Sequence, residues 1–133
     1  MDKFIHRYEC EVAFSDTDAS GWVHFSKILI YVERAEHELL TKLGLNVYDR
    51  AQGGWPRVRV ICDYKRPLLF KDRIEIRTVL KSLGNSSVTW EFEVWKIGGE
   101  LAAAGEMVSV KVNEAGSALN LSEGEKGLLK GGG

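Results

Sequence analysis

The sequence predicts an α+β fold, one antiparallel sheet curled around one long central helix, and three of its features point there. Apolar and polar residues alternate in a first segment, apolar residues recur at helical spacing in a second, and alternation returns in four further segments separated by turn residues. The helical segment is apolar around much of its circumference, so it needs cover on several sides. The one-sided strands after it need something to cover, and a sheet wrapped around the helix satisfies both demands. A split βαβ sandwich would require a second core helix, and no segment after Lys81 supplies one.

Each element can be justified in turn. Tyr8, Cys10, Val12 and Phe14 alternate with Arg7, Glu9, Glu11 and Ala13, a strand with one buried face that ends near Phe14. From Phe25 to Leu43, Ile28, Tyr31, Val32, Ala35, Leu39 and Leu43 fall at helical spacing, with Leu29, Ile30 and Leu40 widening the stripe, and Gly44 supplies the stop. After a Gly53-Gly54 loop, Arg57 to Lys65 places Val58, Val60, Cys62 and Tyr64 on one face, and Pro67 closes the segment because proline cannot donate to a ladder. Arg73 to Lys81 alternates Ile74, Ile76, Thr78 and Leu80 with polar neighbours, and Gly84-Asn85 makes a hairpin turn. Ser87 to Ile97 presents Val88, Trp90, Phe92 and Val94, Gly98-Gly99 turns the chain again, and Leu101 to Val112 completes the meander. From about Ser117 the patterning is weak. Ser122 can cap a short helix reaching Leu129, Gly124 and Gly127 weaken it, and the glycines at 131–133 are expected to be disordered. Strand, one apolar helix, four-stranded meander is the order of the hot-dog architecture.

Composition bounds the function. With 133 residues, 44% of them apolar, the chain fits one domain that needs neither disulfides nor a structural metal. A formal net charge of -1 lacks the overall basic excess that draws a protein to phosphate backbones, so nucleic acid is not expected as a partner. Cys10 and Cys62 fall in strand segments outside any CxxC spacing, which suits free thiols in a reducing compartment. No apolar run approaches the roughly 20 residues of a membrane span, and no signal-type h-region opens the sequence, so a cytoplasmic protein with no membrane span is expected.

Chemistry concentrates between the first strand and the helix, where Phe14 to Phe25 forms a connection dense in polar and small residues. Asp16, Thr17 and Asp18 are ordinary turn formers. Other constellations are thinner: Glu33 and His37 form one i,i+4 pair without a second set for a metal, and no GxSxG elbow supports a serine hydrolase.

Phe14, Asp16, Asp18, Gly21, Trp22 and Val23, followed downstream by Asp63-Tyr64, Pro67 and Asp72, resemble the 4-hydroxybenzoyl-CoA thioesterase family of hot-dog enzymes from about Arg7 to about Asn113. The resemblance implies hydrolysis of an acyl-CoA thioester to a free carboxylate and CoA, with no cofactor. It places the catalytic carboxylate on Asp18, which either attacks the thioester or deprotonates a water that does. The backbone amide of Phe25 takes the oxyanion position, where a helix start offers unpaired donors and the positive end of its dipole. Gly21 lets backbone approach the substrate, and Trp22 is a candidate for an acyl pocket, with Trp55, Trp90 and Trp95 as further candidates. Some relatives carry histidine at the place of Phe25. Here the imidazole is one residue earlier, so His24 is a candidate auxiliary base or a helix-start residue. Glu33 matches an acidic helix position, where it orients loop amides or meets a polar acyl group.

For the CoA phosphates, eight basic and three acidic side chains lie between Arg57 and Lys81, with Lys65 and Arg66 among them. Ser87 resembles a family serine often preceded by basic residues; Gly84, Asn85 and Ser86 stand there instead. Two other classes share the fold: a hydratase or dehydratase using His24 with Asp18, and a non-catalytic acyl-CoA or acyl-carrier binding module. An open curled sheet also leaves edge strands to be paired, so self-association as a dimer or tetramer is expected.

Overall fold

The computed structural model describes residues 5–49 and 53–131. Its elements are β1 (Ile5–Glu11), α1 (Phe25–Lys42), the two-residue strands β2 (Tyr48–Asp49) and β3 (Gly53–Gly54), β4 (Arg57–Tyr64), β5 (Arg73–Leu83), β6 (Ser87–Lys96), β7 (Leu101–Val110) and α2 (Glu123–Leu129). Five strands make one antiparallel sheet in the order β1-β5-β6-β7-β4, and β2 pairs with β3 apart from it. The predicted hot-dog class is the observed one. The meander β5-β6-β7 forms the centre, β1 and β4 are the two edges, and α1 is the connection between those edges.

The core is the interface of α1 with the inner sheet face. Ile28, Tyr31, Val32, Ala35, Leu39 and Leu40 are buried there with Ile74, Ile76, Trp90, Phe92, Val94 and Met107. At Gly105 a Cβ would stand 1.9 Å from the Ile61 carbonyl oxygen, so only glycine lets β4 lie this close to β7.

Several boundaries differ from the expectation, each for a physical reason. The first strand stops at Glu11, and Phe14 to Asp16 forms a turn of 3-10 helix that leaves Phe14 71% exposed rather than on the buried face. Gly53 and Gly54 are short-strand residues paired with Asp49 and Tyr48 rather than loop. On β4 the alternation is present, but Val58 is 62% exposed and Tyr64 45%, because an edge strand has nothing in its own chain to cover it. Beyond Ser117 the weak patterning conceals a fixed segment: Ser122 and Glu125 form a complete capping box, and Leu121 and Leu129 bury into the core. Tertiary packing outweighs the two glycines. Gly131, expected to be disordered, instead ends the helix with its amide donating to the Leu128 carbonyl at 2.9 Å, and the expectation for the last two glycines falls on residues outside those described.

Candidate active site

The Asp16 and Asp18 segment is a miniature hairpin held against the start of α1. The His24 amide donates to the Asp16 carbonyl at 2.9 Å, the Asp18 amide to the Trp22 carbonyl at 2.9 Å, and Thr17 bridges Val23 between them. The Gly21 amide closes the turn onto the Asp18 carbonyl at 2.9 Å, with Gly21 at φ +86°, a conformation that favours glycine. One strand of the hairpin is anchored further, since the Val23 amide donates to the Leu68 carbonyl at 2.7 Å.

On this turn the two aspartates have different surroundings. Asp18 is exposed; its Oδ1 accepts from the Ser20 amide at 2.8 Å and from the Ser20 hydroxyl, and among the described residues Oδ2 has no partner. The Ser20 hydroxyl first, then its amide, hold the Asp18 carboxyl below the usual aspartate range. Asp18 is therefore ionised at neutral pH. The turn-forming role is real as well: the Ser20 contact is an Asx turn. Asp16, by contrast, faces inward and accepts the phenol proton of buried Tyr31 at 2.5 Å.

The helix start adds donors. His24 is the N-cap of α1; its Nδ1 accepts from the Ser26 amide at 3.3 Å and lies 2.8 Å from the Ser26 hydroxyl, with the ring packed on Phe25 at 4.7 Å. The Lys27 amide is taken by the His24 carbonyl at 2.8 Å, whereas no acceptor among the described residues is paired with the Phe25 amide. That open amide is what a developing oxyanion requires.

Beside the helix start runs a groove of about 270 Å³ lined by Trp22, Phe25, Ile28 and Tyr64, with Lys65 and Arg66 among its walls. One residue further along α1, Leu29 opens a second, apolar space of about 140 Å³ under the helix, with Val32, Phe92 and Met107 buried at about 1% exposure and Glu33 and Arg57 at one side. The Arg57 guanidinium grips Glu33 at 3.1 Å and Glu36 at 2.8 Å, and the Ser109 hydroxyl adds a 3.3 Å contact to Glu36. Burial raises the Glu36 carboxyl's pKa, against the pull of Arg57.

The structure thus brings Asp18, Gly21, Trp22, His24 and Phe25 onto one compact piece, with Lys65 and Arg66 in the adjoining groove. Glu33 lies two turns further along α1. Ser87 is not part of this group within the chain. Tyr64 pairs with Ala103 and Ala103 with Val94, seven residues from Ser87 on β6, a separation of roughly 23 Å at ~3.3 Å per residue.

The basic run is also less free than its composition suggests. Arg57 turns inward, Arg66, Arg73, Arg77 and Lys81 pair with Glu100, Glu11, Glu75 and Glu106, and only Arg59, Lys65 and Lys71 lack a carboxylate partner among the described residues. Arg57, Glu36 and Tyr31 were missed by the sequence reading as members of the site's framework. A signal existed for Glu36, a carboxylate on the buried stripe four residues after Val32, which demands a buried basic partner. Trp90 is core, Trp95 carries Arg77 over its ring at 4.9 Å, and Trp55 donates to the Asn46 carbonyl at 3.0 Å. Among the described residues no helix is long and apolar enough to cross a membrane.

A wrapped sheet around one central helix, with a polar turn at that helix's start, is the hot-dog architecture, and residues 20–103 match the thioesterase superfamily. The chain belongs to that superfamily and is by class a thioester hydrolase. A 1,4-dihydroxy-2-naphthoyl-CoA hydrolase from Synechococcus elongatus is 31% identical over 83 residues, 59% of this chain and 61% of that protein. One of the same name from Synechococcus sp. strain CC9605 is 31% identical over 110 residues, 77% of this chain and 73% of its own. Among solved structures, a gentisyl-coenzyme A thioesterase is 31% identical with a TM-score of 0.83, covering 90% of this chain and 98% of that one. A 1,4-dihydroxy-2-naphthoyl-CoA thioesterase from Synechocystis shares the fold with a TM-score of 0.85 at 18% identity, over 95% and 96% of the two chains. The match is at the level of the superfamily, and these relatives carry naphthoyl and gentisyl names rather than the 4-hydroxybenzoyl one the motifs resemble.

Proposed function

We propose that the protein is an acyl-CoA thioesterase in which the Asp18 carboxylate does the chemistry. The observation that carries this reading is the ionised, exposed Asp18, with one oxygen unpartnered, on a turn hydrogen-bonded to the cap of a helix whose first amide is open. In the nucleophilic route Oδ2 attacks the thioester carbonyl carbon, the oxygen becomes negative and is met by the Phe25 amide, and the C–S bond breaks to release CoA thiolate. Water then cleaves the mixed anhydride and restores Asp18. In the general-base route Asp18 takes a proton from the attacking water instead. Either route needs the ionised carboxylate that the Ser20 contacts favour.

The groove of Trp22, Phe25 and Tyr64 suits the pantetheine arm, with Lys65, which has no carboxylate partner among the described residues, the phosphate contact best supported and Gly21 leaving space beside the thioester. Arg66, tied to Glu100, contributes less. His24, occupied in capping through Nδ1, has Nε2 left for a substrate hydrogen bond. The acyl group enters the 140 Å³ space, close to the roughly 150 Å³ of a cavity that holds one benzene ring, so a small aromatic acyl group fits it. Glu33, with one oxygen on Arg57, offers the other to a polar substituent.

A dimer completes the reading. β4 is an edge strand with apolar Val58 and Val60 uncovered, and pairing it antiparallel with a second copy brings that copy's Arg57 end beside this chain's Tyr64 end. Ser87 lies at the Arg57 end of the sheet, so Ser87 of a second copy, not of the same chain, would approach the groove. The test is release of free thiol from a panel of acyl-CoA thioesters, including hydroxylated benzoyl-CoA compounds. Thiol release is expected and fastest for compact aromatic acyl groups. Binding without thiol release, or hydration of an enoyl-CoA instead, would overturn the reading.

A further inference from the structure

Tyr31 is a core aromatic by position, 1% exposed on the second turn of α1, yet its hydroxyl points at the catalytic turn rather than into apolar packing. It donates to Asp16 Oδ2 at 2.5 Å and accepts from the Ala13 amide at 3.2 Å, so one phenol ties both ends of the 3-10 turn to the body of the helix. Asp16 is also the residue whose carbonyl receives the His24 amide at 2.9 Å, one residue before the open Phe25 amide. Asp18 stands two residues from Asp16 on the same hairpin. The path from the helix body to the carboxylate is therefore Tyr31 hydroxyl, Asp16 carboxylate, Asp16 backbone, Asp18, and it has no flexible link except the last turn. Burial and the Asp16 carboxylate push the Tyr31 phenol up to about 12, so it remains a donor across the physiological range.

We infer that the Tyr31–Asp16 hydrogen bond is a positioning strut that fixes where the Asp18 carboxylate stands relative to the Phe25 amide. Neither residue touches the reacting atoms. The inference rests on the reading of Asp18 and Phe25 above and adds two residues that act through them. A displacement of about 1 Å in such a pair costs on the order of 10²-fold in rate, which is why a single buried hydroxyl has leverage on turnover.

The test is steady-state thiol release by wild-type protein, Tyr31→Phe, Asp16→Ala, Asp16→Asn and the Tyr31→Phe/Asp16→Ala pair. Tyr31→Phe keeps the ring in the core and removes the hydroxyl, breaking the bond to Asp16 together with the one from the Ala13 amide, so kcat is expected to fall at least about tenfold while KM stays within about twofold. Asp16→Ala, which leaves the Ala13 contact in place, is expected to show most of the same loss, and the double variant to be no worse than Tyr31→Phe alone, because the Tyr31–Asp16 bond is common to both. Asp16→Asn, which still offers an oxygen to the phenol, should recover most of the activity. Were Tyr31→Phe to fold poorly, Asp16→Ala breaks the same bond from the partly exposed side. Turnover within twofold of wild type in both Tyr31→Phe and Asp16→Ala overturns the strut, as does an equal loss in Asp16→Asn and Asp16→Ala. Failure of the underlying reading looks different, since Asp18→Asn would then turn over as fast as wild type whatever the Tyr31 and Asp16 variants do.

Discussion

Asp16 and Asp18 show how far environment separates two identical side chains. Asp16 is committed to Tyr31 and shaped for holding, while Asp18 keeps an oxygen free and is held ionised by Ser20. On the proposed mechanism only the ionised form of Asp18 acts, so kcat/KM should be level through neutral pH and fall as pH drops through its lowered pKa. Ser20→Ala removes the hydroxyl that is the largest cause of that lowering, so the acid limb should move to higher pH, toward the ordinary aspartate value of about 3.9. The pH dependence of thiol release in the two proteins, with folding followed by circular dichroism, checks it. An acid limb that stays in place would mean that some other group controls it.

At the scale of elements, the start of α1 carries the helix cap and, on the proposed mechanism, the oxyanion donor as well. His24→Ala removes the cap and should cost about 1 kcal/mol, a fall of about 4 °C in Tm, and His24→Asn, a good capping residue, should recover most of it. If activity returns with stability in the asparagine variant, the imidazole has no role beyond the cap. The Arg57 fork is the other joint, tying β4 to α1 through Glu33 and Glu36. Arg57→Ala should destabilise by about 3 kcal/mol in denaturant unfolding, since it leaves the buried Glu36 carboxylate without its cation.

Periodicity made these elements legible: α1 starts at Phe25 as its spacing predicts, and the hairpins at Gly84-Asn85 and Gly98-Gly99 turn where the sequence turns. What it could not reveal depends on contacts between distant residues. Phe14 alternates correctly and is still outside the strand, because the chain turns to bring Asp16 to Tyr31. Arg57 reads as one of a basic run, although its partners are on a helix more than twenty residues away. The turn carrying Asp18 was legible as a motif, and the bond that orients it was not.

For the whole molecule, the uncovered apolar side of β4 offers an edge for a second copy, and the proposed role of Ser87, remote from Phe25 within one chain, depends on that copy. Light scattering at micromolar concentration should give a dimer or a multiple of it. Val58→Lys on the exposed edge, outside the lining of the acyl space, should shift that equilibrium toward monomer and lower activity in parallel, as burying a lysine against its own symmetry mate is unfavourable. A fully active monomer would contradict the two-copy site.

Most directly decisive is kcat for thiol release by Asp18→Asn, measured beside wild type and Asp16→Asn on the best acyl-CoA substrate. Asparagine preserves the shape of the turn and its bond to Ser20 but can neither attack a carbonyl nor accept a proton. The expected result is a fall in kcat of at least about 10²-fold with KM little changed, and Asp16→Asn close to wild type. Turnover by Asp18→Asn equal to that of wild type would contradict the account.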